Sequence, residues 1–160
     1  MRRIDRFRAV LAIAVILAAC TETSVRVSPA PDYAEAIRAV IEQDHQLGTA
    51  RNNASNNAPI ARAVAKYVAG LDALDLHRCP ADFVVALKRH RDAWHDSIEF
   101  FDQYAELRGE LHDVFDAIRA KGETHRTMLA AIEADLWGTW EEVEKVMDAH
   151  LGKETADSQE

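Results

Sequence analysis

The sequence is poor in the groups on which most protein chemistry rests. Its 160 residues hold two cysteines, enough for one disulfide at most, and no Cys-x-x-Cys-His run, which excludes a c-type cytochrome. A Gly-rich phosphate loop and a nucleophile elbow are both missing, and Ser55, Ser97 and Ser158 stand in no catalytic context. No two of the seven histidines are four residues apart, so no helix carries a zinc clamp of that spacing. No stretch alternates apolar and polar residues for long enough to make a strand, and no internal repeat is present. Positive charge is short as well: 19 Lys and Arg stand against 27 Asp and Glu, a net charge of -8. An acidic chain does not suit a phosphate backbone, which excludes nucleic acid as a partner, and it gives no electrostatic hold on anionic lipid.

What is present begins at the amino terminus. Arg2, Arg3, Arg6 and Arg8 form a basic head before Ala9–Ala19, an apolar run of eleven. That run is too short for a mature transmembrane helix, and with its small closing residues it reads as an export signal, residues 1–19. The segment Leu17-Ala18-Ala19-Cys20 resembles a bacterial lipobox. The resemblance implies cleavage before Cys20, a diacylglycerol thioether on its sulfur and an acylated amino terminus, so that the protein is anchored by lipid and does not span. Several acyl chains hold stably where a single chain is marginal. Thr21 rather than Asp follows the cysteine, which by the same resemblance implies the periplasmic face of the outer membrane. The alternative is an ordinary secretory signal followed by a chance cysteine, with a soluble product. Removing residues 1–19 takes away four Arg and one Asp and moves the net charge to -11. Cys79 is then the one free thiol, and the fold has to stand on packing without an internal disulfide.

Residues 20–31 read as a tether, 32–151 as a helical domain and 152–160 as a polar tail. Asp32 with Glu35 makes a variant capping box, and Tyr33, Ile37, Val40, Ile41 and Leu47 follow at helical spacing; Gly48 reads as a stop after about 15 residues. Thr49–Pro59, with four asparagines, reads as a loop in which Asn57 caps the next helix. Ile60, Val64, Tyr67, Val68, Leu71 and Leu74 form the second stripe, where Gly70 predicts a tight contact or a loosened last turn. Pro80 at the first helical position and Asp82 behind it open a long third helix. Its face is Phe83, Leu87, His90, Trp94, Ile98, Phe101 and Ala105, with a kink or break near Gly109 and a shorter piece to Lys121. Glu123–Leu151 is the last helix, in which Gly138 between Trp137 and Trp140 predicts close approach by an aromatic ring. Together these predict an all-α domain, an antiparallel up-down four-helix bundle whose core aromatics are Phe83, Trp94, Phe101 and Trp140.

His90 is the sharpest candidate for chemistry, because its stripe buries it between Leu87 and Trp94 and a buried imidazole needs a partner. It reads as a core histidine bonded to Tyr33, Tyr67 or a carboxylate of a neighbouring helix. The alternative is a haem or metal ligand, with Met128 or Met147 as an axial partner. Cys79 reads as a buried sulfur at the start of the third helix. A reactive or dimer-forming thiol, its pKa lowered by the helix dipole, is the alternative. Three helical turns separate Cys79 from His90, about 16 Å of rise, so the two cannot share an ion.

Cys79-Pro80, Phe83, Ala86, His90 and Ala93-Trp94, with Thr139-Trp140-Glu141-Glu142-Val143-Glu144, resemble patterns in small exported helical proteins of bacteria. That resemblance implies Trp94 and Trp140 in one aromatic core and carries no activity or site residue. The expectation is therefore a lipid-anchored, non-catalytic binding or structural module of the cell envelope, with the membrane and an envelope protein as partners and no cofactor. A haem, metal or small-molecule carrier using His90 is the second reading.

Overall fold

α1 (Tyr33–Ser55), α2 (Ile60–Asp72), α3 (Ala81–Asp102), α4 (Leu111–Ala120) and α5 (Glu123–Leu151) are the regular elements of the computed structural model, which describes residues 33–152. The export signal, Cys20, the tether, the Asp32 cap and the tail beyond Gly152 lie outside the described residues. The described chain is all-helical, with five helices where the periodicity predicts four.

Two boundaries depart most from the sequence reading, and the expected Asn57 cap is replaced by Pro59 as the N-cap of α2. α1 does not stop at Gly48 but continues through Arg51 and Asn52 to Ser55. Asparagine is disfavoured in a helix by well under 1 kcal/mol per residue, and packing of the extra turns outweighs that. Gly70 supplies part of this packing: a Cβ there would fall 2.4 Å from Cδ2 of Leu47, so the helix α2 touches α1 at a glycine, as its position predicts. Ser55, fully buried, supplies another part. Its hydroxyl donates to the Gly109 carbonyl oxygen at 2.6 Å, beside Asn52 O at 2.8 Å, while the Gly109 N–H donates back to Ser55 O at 3.2 Å. Gly109 has φ 127°, a conformation that costs a residue with a Cβ but not glycine.

The second departure is at the end of α3, which stops at Asp102 and not near Gly109. Two tight turns follow, with Tyr104 N–H bonded to Phe101 O and Leu107 N–H to Tyr104 O, both at 3.0 Å. They keep Tyr104 on the buried side, where its hydroxyl meets Nδ1 of His125 at 2.7 Å. Ala105, placed on the stripe by its spacing, is exposed in consequence. Glu110 and Asp113 then form a reciprocal capping box that starts α4. Pro80 is the N-cap of α3 rather than its first helical residue.

α3 packs against α2 and α5, α1 against α2 and α5, and α4 against α5. α5 buries Leu129, Leu136 and Val143 fully, a single seam at a spacing of seven. Gly138 stands off that seam with no atom within 4 Å of a Cβ built on it, so the expected aromatic contact is absent. Two apolar clusters result. One holds Phe83, Leu87 and Val143, and the other holds Trp94, Phe101, Phe115 and Leu136, with the Phe101 and Phe115 rings stacked at 5.8 Å. Phe83, Trp94 and Phe101 are core residues as predicted, whereas Trp140 is half-buried. His90, one turn from Leu87 and one from Trp94, lies where the two clusters meet.

Candidate functional site

Because α1 runs on past Gly48, Asp44, Gly48, Arg51 and Asn52 fall on one helical face. That face floors an open cleft of about 240 Å3, walled by Tyr67 of α2, His90 and Trp94 of α3 and Trp137 and Trp140 of α5. Gly48 keeps the floor low: the one side-chain atom near a Cβ built there would be Nη2 of Arg51, at 4.0 Å.

Arg51 lies against two aromatic faces, its Cζ 4.2 Å from the Trp94 ring centroid and 4.7 Å from that of Tyr67. Such contacts contribute roughly 0.5–2 kcal/mol each according to how dry they are. The guanidinium has five N–H donors. Nε and Nη2 both reach Asn52 Oδ1, at a long 3.3 Å, and no carboxylate pairs with it among the described residues. Burial lowers its pKa, an effect that Tyr67 and Asp44 partly offset.

Asp44 is 8% exposed, unusual for a carboxylate. Its Oδ1 accepts a hydrogen bond from the Tyr67 hydroxyl at 2.5 Å. Burial raises its pKa, and the Tyr67 hydrogen bond, Arg51 and His45 pull it back. Tyr67 is pushed well above the usual phenol range, by burial first and then by the carboxylate beside it. The pair is thus a neutral phenol donating to an acceptor. No buried side-chain N or O among the described residues lacks a partner, so Asp44 Oδ2, which no donor reaches, keeps contact with solvent, and Asp44 lines the cleft.

His90 is fully engaged. The Trp94 indole can only donate, and its Nε1 lies 3.0 Å from His90 Nε2, so Nε2 accepts and the proton sits on Nδ1. Nδ1 donates to the Thr139 hydroxyl at 3.1 Å, and that hydroxyl hands its own proton to the carbonyl of Asp135 (2.8 Å) or Leu136 (3.1 Å). The partners are therefore Trp94 and Thr139, not the tyrosine or carboxylate that the sequence suggests. Burial, then the charge of Arg51, lowers the His90 pKa to about 4, so the ring is neutral at pH 7. A metal on Nε2 would have to displace the Trp94 N–H.

The other candidates lie apart. Met128 is 40% exposed and Met147 packs with the Phe83 cluster, and with both ring nitrogens of His90 on Trp94 and Thr139 no position is left for the axial pair that the alternative requires. Cys79 is a half-buried free thiol in contact with the Phe83 cluster, and burial followed by Asp75 raises its pKa, contrary to the lowering expected from the helix dipole. His77 is bonded to Asp75 at 2.5 Å, on the surface. Glu42 and His45 have the Glu-x-x-His spacing of di-metal sites, yet among the described residues no three His, Cys, Asp or Glu gather closely enough to hold an ion. Trp94 and Trp140 do not stack on one another. Trp137 and Trp94 are T-shaped at 6.4 Å, while Trp140 tilts over His90 at 5.1 Å and donates to Glu144 at 2.8 Å.

Asp44, Arg51 and Trp137 carry the cleft, and the sequence reading singles out none of them. The spacing of Asp44, Gly48 and Arg51 was a usable signal only for a reader who let the helix continue through the glycine. Compared with known proteins, the chain matches no family model, and no curated protein and no solved structure is similar to it.

Proposed function

We propose that the chain is a non-catalytic binding module of a bacterial cell envelope, held at the periplasmic face of the outer membrane by lipid on Cys20 and offering the cleft to a small ligand. The observation that carries this is the state of Arg51: a guanidinium half out of water, pinned on two ring faces and free of any carboxylate partner. Arg119, in the neighbouring depression, is the contrast, since Asp116 at 2.8 Å and Glu133 both pair with it. A donor fixed in place before the ligand arrives loses little entropy on binding. Three indoles and a phenol around it supply apolar area of the kind that small-molecule sites use.

Catalysis has no such support. No serine or cysteine lines the cleft, and both nitrogens of His90 are committed to protein groups. The same bonding removes the ground for haem or metal carriage by His90. For the fold, the reading is an antiparallel up-down bundle of α1, α2, α3 and α5, to which α4 adds a cover on α5; the short links between α1, α2 and α3, each packed on the next, support it.

In a thermal-shift panel of small carboxylates, amines and amino acids, at least one compound is expected to raise the melting temperature of the wild type by on the order of 10 °C at a hundredfold excess over its Kd. The same compound should leave Arg51→Gln unmoved. A panel without any Arg51-dependent hit overturns the cleft as a binding site. For the anchor, Cys20→Ala is expected to leave the membrane fraction for the soluble one, and a variant that still sediments with membrane overturns it.

A further inference from the structure

Arg51 is not the only charge in the cleft. Asp44 stands two helical turns before it on the same face, with Gly48 between them, and the two are not paired with one another. Tyr67 gauges the gap. Its hydroxyl is on Asp44 Oδ1 and its ring lies under the Arg51 guanidinium, so the two charges are separated by about the length of one phenol. Each charge lines the cleft and has unspent bonding capacity: Oδ2 of Asp44, and the Arg51 N–H groups that do not point to Asn52. Each has also been taken partly out of water, which raises the Asp44 pKa and lowers that of Arg51; an opposite charge brought to either group would reverse its shift.

From this arrangement we infer that the ligand is a small zwitterion of the amino-acid type, its ammonium group on Asp44, its carboxylate on Arg51 and a flat body against the indoles of Trp137 and Trp140. The inference rests on the reading of the cleft as a binding site and adds the class of ligand. A simple anion on Arg51 would face the Asp44 carboxylate, and a simple amine on Asp44 would face the guanidinium; one molecule carrying both signs satisfies the pair. The span fits as well, because the two ends of an α-amino acid, with a hydrogen bond at each, reach about as far as Tyr67 does. The volume of about 240 Å3 lies below the roughly 300–1,000 Å3 of pockets for drug-sized ligands and suits a single amino acid. Trp137, 44% exposed and T-shaped to Trp94, lines the cleft with an indole against which a planar group can pack.

The test is calorimetric titration of the intact protein with three probes of one shape: L-phenylalanine, 3-phenylpropionate, which lacks the ammonium, and phenethylamine, which lacks the carboxylate. L-Phenylalanine is expected to bind at least tenfold tighter than either analogue. In Asp44→Asn, which keeps the carbonyl acceptor for the Tyr67 hydroxyl, L-phenylalanine should weaken to the level of 3-phenylpropionate while 3-phenylpropionate itself loses nothing. In Arg51→Gln both should be lost. Equal affinity of 3-phenylpropionate and L-phenylalanine for the wild type overturns the zwitterion and leaves the binding site standing, and this comparison needs no variant to fold. If Asp44→Asn binds L-phenylalanine like the wild type, Asp44 is not the ammonium site and the inference likewise falls. Binding of none of the three overturns it too, and the wider panel then decides whether the cleft binds anything.

Discussion

Trp94→Ala is expected to lower the unfolding free energy by about 3–5 kcal/mol, a large part of the roughly 5–15 kcal/mol that holds a domain of this size. Three losses coincide. Trp94 is 1% exposed, so removing its ring opens a cavity among Tyr67, Trp137 and the aliphatic core. His90 Nε2 loses the indole N–H and becomes a buried acceptor without a donor. Arg51 loses the nearer of its two ring faces. Trp94→Phe separates the terms, because it restores much of the volume and a face for Arg51 but not the N–H, and should cost about 1–3 kcal/mol. Urea unfolding followed by circular dichroism reads both. A Trp94→Ala midpoint equal to wild type would mean that the ring does not bear on the core.

The second large effect is acid sensitivity through His90. In the unfolded chain a histidine takes up its proton near pH 6.5, whereas in the folded protein His90 resists until about pH 4. The unfolded state therefore binds more protons between those limits, so stability falls as the pH is lowered through them and is independent of this group above about pH 6.5. The slope approaches 1.4 kcal/mol per pH unit, and the whole descent amounts to about 3 kcal/mol. Asp82 and Glu106, whose pKa values are lowered by His150 and Lys121, add acid sensitivity of their own at the surface, so the informative quantity is a difference. His90→Gln cannot titrate. It should be less stable than wild type at pH 7 and should lose the part of the decline that lies between pH 6.5 and 4. Parallel stability curves for the two proteins over that range would mean that His90 takes its proton as readily folded as unfolded.

The apolar periodicity of α3 and the glycine at 70 were legible, because each reflects a local rule: one face of a helix has to be buried, and a close helix contact needs a small residue. Phe83, Trp94 and Phe101 were found on that basis. The end of α1 was not, since Thr49–Ser55 has the composition of a loop and is held helical by Ser55, Arg51 and Leu47 meeting partners far along the chain. The end of α3 failed for a related reason: the stripe continues to Ala105, but the chain turns after Asp102 and is tied to partners far along the sequence, Tyr104 to His125 of α5 and Gly109 to Ser55 of α1. With α1 cut at Gly48 the cleft could not be assembled, for Arg51 and Asp44 then belong to different elements. The partners of His90 were out of reach as well, because the periodicity that buries the ring does not say which hydroxyl of α5 stands opposite it.

The clasp between Ser55 and Gly109 closes a ring across 54 positions of sequence. Bringing the ends of a flexible chain of that length together costs about 3.5 kcal/mol in entropy, while a hydrogen bond returns about 1 kcal/mol net. Two such bonds do not meet the cost, so the ring is closed for them: packing of α2 on α1 and of α3 on α2 has already brought the ends within reach. What the clasp adds is register. It fixes where the turn after α3 lands on the end of α1, and with it the angle at which Arg51, one helical turn before Ser55, is presented to the rings of Trp94 and Tyr67.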